Sequence, residues 1–241
     1  MQVVLLAAGQ ATRLRPLTDD RPKCLLEVAG RSILSRCVGQ LSGRGLRQIT
    51  VVDGYRGDMI RRAVSAEFPG VDFRFFRNDR YATTNNAWSL MLAECSPDEP
   101  LLLLDSDIVF ADEVLDRMLA HPEPSRLALR TEGEIGEEEM KVCIGPGGRV
   151  VDLGKGLAPA DAAGESVGIE VFSAEFVAAL GPVLRRRLLE EQRVHEYYED
   201  AFLEMIRAGW TVATVDIAGL SCLEIDTAAD LAAAQLTFAG R

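Results

Sequence analysis

Small residues at positions 7, 8, 9 and 11, followed by Arg13 and Lys23, form the first group whose types and spacing can do chemistry. In LAAGQATRLRPLTDDRPKCL the small side chains let the backbone close on a ligand and turn its N–H groups toward phosphate oxygens. Arg13 can fork two such oxygens, and Lys23, a compact charge, can sit on a single oxygen of a reacting phosphoryl group. The segment is neither a P-loop, which needs G-x-x-x-x-G-K followed by Ser or Thr, nor a G-x-G-x-x-G dinucleotide turn. A second group, Asp105-Ser106-Asp107, ends the apolar run Leu101 to Leu104, and its carboxylates are ready oxygen ligands for a hard cation such as Mg²⁺. The alternative is that these acids cap a helix over Ile108 to Leu115. A third group, Glu196-Tyr197-Tyr198-Glu199-Asp200, places aromatic faces beside acids, as holding an ammonium requires. Its alternative is an amphipathic helix with a solvated acidic face, the reading favoured for Glu196 and Glu199.

Positioning these groups falls to an alternation of short β-rich runs with helical periodicity, which predicts a parallel sheet. Strands are expected at Gln2 to Leu6, Gln48 to Val52, Asp72 to Phe76 and Leu101 to Leu104, with helices at Ile33 to Leu41, Gly57 to Phe68, Asn86 to Cys95 and Asp112 to Ala120. From Leu127 to Lys155 the rhythm breaks into β-type segments joined by the acidic stretch Glu132 to Glu139 and by a Gly-Pro-Gly-Gly hairpin turn at 145–148. A strand at Ser166 to Phe172, helices at 174–191 and 196–208, a strand at 211–217 and a helix at 228–238 complete the pattern. The Arg185-Arg186-Arg187 run reads as a solvated helix end. Gly156 to Gly164 is too short a linker to split domains. The fold class expected is α/β, a single Rossmann-like α/β/α domain over 1–241 with a mixed, mostly parallel sheet. In such a sheet ligands sit beyond the carboxyl ends of the strands, where the loop after Leu6 and the acids after Leu104 both fall.

The 241 residues carry a net charge of −11, which opposes a polyanion and argues against nucleic acid or an anionic membrane as partner. No apolar run approaches the roughly 18 residues of a membrane span. The start MQVVLLAAG lacks a basic n-region and reads as a buried strand, so a cytoplasmic location is expected. Five scattered cysteines without C-x-x-C, and only two histidines, disfavour zinc and disulfide scaffolds. Of the three lysines, at 23, 141 and 155, the first and last fall where chemistry is expected.

Leu6-Ala7-Ala8-Gly9, Thr12-Arg13-Leu14, Pro16-Leu17-Thr18 and Pro22-Lys23 together resemble the signature of the nucleotidyltransferases that make NDP-sugars and related CMP- and CDP-activated compounds. The resemblance implies a GT-A-like fold in which residues 1–126 form a nucleotide-binding half and 127–241 an acceptor-binding half. The loop departs from the family at Ala11, where a second glycine is common; alanine fits there at negative φ. Tyr81 to Leu90, with Asn85 and Asn86, resembles the base-recognition segment of the cytidylyltransferase branch that includes the phosphocholine and 2-aminoethylphosphonate enzymes, although Asn85 could equally cap a helix. Gly54-Tyr55 resembles that branch's second-strand loop.

On this resemblance, Leu6, Ala7, Ala8, Gly9, Gln10, Ala11, Thr12, Asn85, Asn86 and Asp105 contact CTP, and Arg13 and Lys23 are the catalytic cations. Asp107 and Asp226 hold Mg²⁺, with Asp226 lying in the C-terminal Glu224-Ile225-Asp226-Thr227 motif. Lys155, Tyr197, Tyr198, Asp200 and Glu224 hold a small, amine-bearing phosphate or phosphonate acceptor such as phosphocholine or 2-aminoethylphosphonate. An acceptor oxygen already ionised at neutral pH attacks the α-phosphorus without a general base, consistent with bland positions for His121 and His195. A homodimer is compatible with the family. The alternatives are a sugar-1-phosphate nucleotidyltransferase using UTP or another NTP, and a non-catalytic nucleotide-binding regulator.

Overall fold

A computed structural model describes residues 1–240. Strands β1 (Gln2–Ala7), β2 (Glu27–Val28) and β3 (Arg31–Ser32) precede helix α1 (Ile33–Gly43), followed by β4 (Gln48–Asp53), α2 (Gly57–Glu67), β5 (Asp72–Arg77) and α3 (Asn86–Leu92). Next come β6 (Leu101–Asp105), β7 (Ile108–Phe110), α4 (Asp112–Ala120), β8 (Arg126–Arg130), β9 (Lys141–Ile144), β10 (Val150–Gly154) and β11 (Gly164–Phe172). The chain ends with α5 (Ala174–Arg185), α6 (Tyr198–Arg207), β12 (Ala213–Asp216), β13 (Cys222–Glu224) and α7 (Ala228–Thr237). Among the described residues no helix is long and apolar enough to cross a membrane.

Nine strands form the main sheet in the order β10-β9-β11-β6-β1-β4-β5, with β8 against β11 and β12 against β8. Only β10 and β11 oppose the common direction, so the sheet is mixed and mostly parallel, as the alternating pattern predicts. Successive side chains point to opposite faces, and the central strands are apolar on both. On one face Val3, Leu5, Leu102 and Leu104 pack with Leu34, Val38 and Leu41 of α1 and with Val114 and Met118 of α4. On the other, Val4, Leu6, Leu101 and Leu103 pack with Leu90 of α3, Phe176 and Leu180 of α5 and Phe202 and Met205 of α6. After β1 the chain builds outward through β4 to β5, then returns to place β6 on the other side of β1. Leu6 is thereby in register with Asp105, so the small-residue loop and the acidic turn leave adjacent strands at the same end. That is the switch point at which open α/β sheets bind ligands.

Three local differences from the sequence reading bear on the site. Residues 108–110 are strand β7, antiparallel to β13, and not the start of a helix, so Asp105 and Asp107 do not cap one. The helix expected over 174–191 keeps α-geometry to Arg185 and then widens into a π-turn over Arg186–Glu190. Arg187 is buried and pairs with Glu196 at 2.9 Å and Glu204 at 2.5 Å, correcting its reading as a solvated helix end. These bonds tie the segment before α6 to α6 itself.

Candidate active site

Residues 6–13 leave the end of β1 as a tight loop whose geometry is held from several sides. Thr18 Oγ1 donates to the Ala11 carbonyl at 2.9 Å, and the Tyr55 N–H donates to the Ala8 carbonyl at 3.0 Å. Gly54 lies so close that a Cβ there would meet the Ala8 carbonyl oxygen at 2.7 Å, which gives this glycine a packing reason. The Tyr55 hydroxyl reaches the carbonyls of Thr18 and Asp19 at 3.0 and 2.7 Å and so anchors the far side of the loop.

Ala11 adopts φ 49° and ψ 54°, the left-handed region, so the loop does not use the negative φ at which alanine would fit cheaply. The loop keeps the backbone that glycine favours and accepts the Cβ penalty. Ala11→Gly is therefore expected to raise stability by up to about 1.5 kcal/mol, the left-handed penalty of about 1–2 kcal/mol less the about 0.5–1 kcal/mol that glycine loses in conformational freedom. A urea melt compared with that of the parent checks this, and a destabilised Ala11→Gly variant would refute the strain.

Below the loop lies a carboxylate centre built by the short β7–β13 ribbon. Glu224 is in register with Ile108, and the Ile225 N–H donates to the Asp107 carbonyl at 2.9 Å, which brings Asp107, Glu224 and Asp226 together. Oxygens of these three acids lie within 4.8 Å of one another. Thr227, not Asp226, caps α7, paired with Asp230 in a capping box, so the Asp226 carboxylate is free to face the cleft. Lys23 Nζ lies 2.9 Å from Asp107 Oδ2 and 2.6 Å from Asp226 Oδ1, and Arg13 reaches Asp226 Oδ2 at 2.5 Å.

Charge at this centre follows from those distances. Burial alone would lower the Lys23 pKa, but Asp107 and Asp226 outweigh it and hold the ammonium above its ordinary value. Burial likewise favours the neutral form of Asp226, yet Lys23 and Arg13 keep its carboxyl below the usual range. Desolvation, and then the charges of Asp107 and Asp226, push Glu224 upward. Three converging carboxylates, two of them already paired with Lys23, fit a hard divalent ion, for which oxygen donors are preferred.

Asp105 sits apart from this centre. Its Oδ2 accepts from the Tyr198 hydroxyl at 2.9 Å, and desolvation with the nearby charges of Asp107 and Glu199 raises its pKa well above the ordinary value. Gly168, at φ 70°, packs against it so closely that a Cβ would meet Asp105 Oδ2 at 2.7 Å.

A single cleft of about 460 Å³ is lined by residues 6–13, Lys23, Asn85, Asn86, Asp105, Asp107, Lys155, Tyr197, Glu224 and Asp226. Two residues assigned to the acceptor are elsewhere. Tyr198 is fully buried beneath the cleft with its hydroxyl committed to Asp105. Asp200 caps the start of α6, its Oδ2 accepting the Tyr197 N–H at 3.0 Å. Glu199, read as a solvated helix position, instead lines the cleft: it is 6% exposed, its Oε2 is buried without a hydrogen-bond partner, and burial pushes its carboxyl up to about 8. Helix phase decides which members of the aromatic-acidic cluster turn toward the cleft: Tyr197 and Glu199 do.

Asn85 does cap α3, its Oδ1 accepting the Asn86 N–H at 2.8 Å, while its Nδ2 donates to the His195 carbonyl at 3.2 Å. Asn86 Oδ1 accepts the Tyr198 N–H at 2.9 Å, which ties α3 to α6. The Lys155 ammonium lies 4.9 Å from the centre of the Tyr197 ring, so that aromatic face steadies a lysine of the protein itself. The cleft lining also includes Glu138 and Glu139, from the acidic stretch the sequence shows, and Glu165, which did not stand out there and pairs with Arg130 at 2.6 Å.

A family model described as a MobA-like NTP transferase domain matches residues 3–199. A CMP-5'-(3-aminopropyl)phosphonate synthase of Streptomyces rubellomurinus is 38% identical over 128 residues, covering 53% of this chain and 20% of the relative, so the chain spans only a minor part of that protein's length. A CTP:phosphoglutamine cytidylyltransferase of Campylobacter jejuni is 28% identical over 96% of this chain and 98% of its own. The solved CTP:phosphocholine cytidylyltransferase of Streptococcus pneumoniae shares the fold with a TM-score of 0.76 over 98% of each chain at 22% identity.

Proposed function

Because the chain belongs to the MobA-like NTP transferase family, we propose that it transfers CMP from CTP to a small phosphate or phosphonate acceptor and releases pyrophosphate. One observation carries this reading: a single cleft runs from the small-residue loop and its two cations, past three converging carboxylates, to a wall where Lys155 faces several acids. That order matches triphosphate, reacting phosphorus and acceptor. The relatives that act on CTP with amine-bearing or amino-acid-derived acceptors support it.

Arg13 and the N–H groups of the loop hold the β- and γ-phosphates, and Lys23 attends the α-phosphoryl group. Asn86, whose Oδ1 is committed to Tyr198, keeps its amide N–H₂ for the polar edge of a pyrimidine. Lys155, steadied by Tyr197, takes the anionic end of the acceptor, and Glu199 and Glu224 take a cationic end. Residues 1–126 thus serve the nucleotide, and most of the acceptor wall comes from 127–241. Asp107 and Asp226, with Glu224 beside them, would hold Mg²⁺, which when bound neutralises charge on phosphoryl oxygens.

The acceptor oxygen forms a bond to the α-phosphorus as the bond from that phosphorus to the pyrophosphate oxygen breaks. The nucleophile is already ionised at neutral pH, so no proton must be removed and the task is positioning and charge stabilisation. Neither His121 nor His195 lines the cleft.

A pyrophosphate-release screen of the four NTPs against phosphocholine, 2-aminoethylphosphonate and glucose 1-phosphate tests the reading. CTP with an amine-bearing acceptor is expected to exceed every other donor by roughly tenfold or more in kcat/KM, the discrimination that hydrogen-bonding groups can supply. Faster turnover of UTP with the sugar phosphate would assign the protein to sugar activation instead.

A further inference from the structure

Lys141 is fully buried and takes no part in the transfer described above. It opens β9, with its backbone in register with Gly154 of β10 and Glu165 of β11. Its Nζ donates to three carbonyl oxygens of one short stretch: Gly136 at 3.1 Å, Glu137 at 2.8 Å and Glu139 at 3.3 Å. An ammonium has three donors, so this complement is full, and a buried charge satisfied only by backbone dictates the path of that backbone. The stretch belongs to the acidic loop between β8 and β9. Its next residue, Met140, is held to β11 by the Ser166 N–H at 2.8 Å. With these carbonyls drawn to Lys141, Glu138 and Glu139 stand in the cleft wall that also contains Lys155 and Glu199.

We propose that Lys141 is a positioning residue that folds the 136–139 loop over the acceptor end of the cleft, making that loop a selector for acceptors bearing a positive charge. The inference rests on the cytidylyl-transfer reading for the word acceptor, but the clamp itself does not. Glu165 is already paired with Arg130 at 2.6 Å, but Glu139 and Glu199 each keep a buried carboxylate oxygen without a hydrogen-bond partner, which is costly unless a further cation completes the wall. Lys155 supplies one positive charge for the acceptor's anionic end, and the remaining acids are left for a cationic one.

Lys141→Met removes the ammonium and keeps most of the stem. In substrate-free protein, amide exchange over 136–140 is expected to rise roughly tenfold while β1 and β6 keep their protection, because only the clamp has been lost. With phosphocholine as the probe acceptor, its KM is expected to rise roughly tenfold, with the KM for CTP within about twofold of the parent. Unchanged exchange overturns the clamp, and equal shifts in both KM values reduce Lys141 to a general structural role. A Glu138→Gln/Glu139→Gln variant keeps the lysine and tests the loop if Lys141→Met does not fold: an unchanged phosphocholine KM overturns the selector. If the parent itself transfers no CMP, the transfer reading fails, and the exchange experiment still decides the clamp.

Discussion

Lys23→Ala is expected to lower turnover roughly 10²–10³-fold while weakening CTP binding far less, as losing one preorganised stabiliser of developing charge does. The ammonium stays protonated throughout the working pH range, because Asp107 and Asp226 more than offset the effect of burial. Those two ion pairs, at 2.9 and 2.6 Å, use two of its three donors and fix the head group at the carboxylate centre. The third donor is left for a phosphoryl oxygen. Steady-state kcat with CTP, set beside calorimetric CTP affinity, checks the prediction, with far-UV circular dichroism confirming the fold. Turnover within a few-fold of the parent would remove Lys23 from the transition state. Lys23→Arg is a sharper companion, since a planar fork cannot replace a point charge held between two carboxylates, and its rate should also fall.

What the sequence made legible depended on whether a feature is written in side chains of one contiguous segment. The small-residue loop with its cations, and the apolar runs of β1 and β6, are such features, and the structure places them at adjacent strand ends. The β7–β13 ribbon is not: each strand has three residues, too few for alternation to show, yet this ribbon joins Asp107 to Asp226 across more than a hundred residues of chain. Tyr197 to Asp200 stands out in the sequence as a cluster, and Tyr197 and Glu199 of it line the cleft. Periodicity does not tell which residues of a helix start turn inward: Glu199 lines the cleft, while Tyr198 lies buried beneath it and Asp200 caps the helix. The backbone of Ala11 is not legible in the sequence, because its φ is set by the closure of the whole loop and not by the residue alone. Lys141 carries no signal at all, since its partners are main-chain carbonyls that any residue type could supply.

Asp226→Ala is expected to abolish measurable transfer, a loss of at least roughly 10³-fold, and Asp107→Ala to do the same, because a hard ion at this centre needs both carboxylates against competing water. Asp226 has more at stake than its partner: both receive Lys23, but Asp226 also receives Arg13 at 2.5 Å. Its replacement therefore frees Arg13 and leaves Lys23 to Asp107 alone, as well as removing a ligand. Asp226→Asn isolates charge from shape: the amide preserves volume, so the fold should survive while the two charge-assisted bonds and the metal affinity are lost together. Neither carboxylate lies in the apolar layers that hold the sheet, and α7 keeps its own cap through Thr227 and Asp230, so both alanine variants should retain a cooperative melt. Pyrophosphate release with and without excess chelator, followed by Mg²⁺ titration, reads the effect, and the melt controls for unfolding. Full activity of the parent in chelator would eliminate the metal requirement. A folded Asp226→Asn protein with parental turnover would eliminate Asp226 as the group that unites the cations with the metal centre.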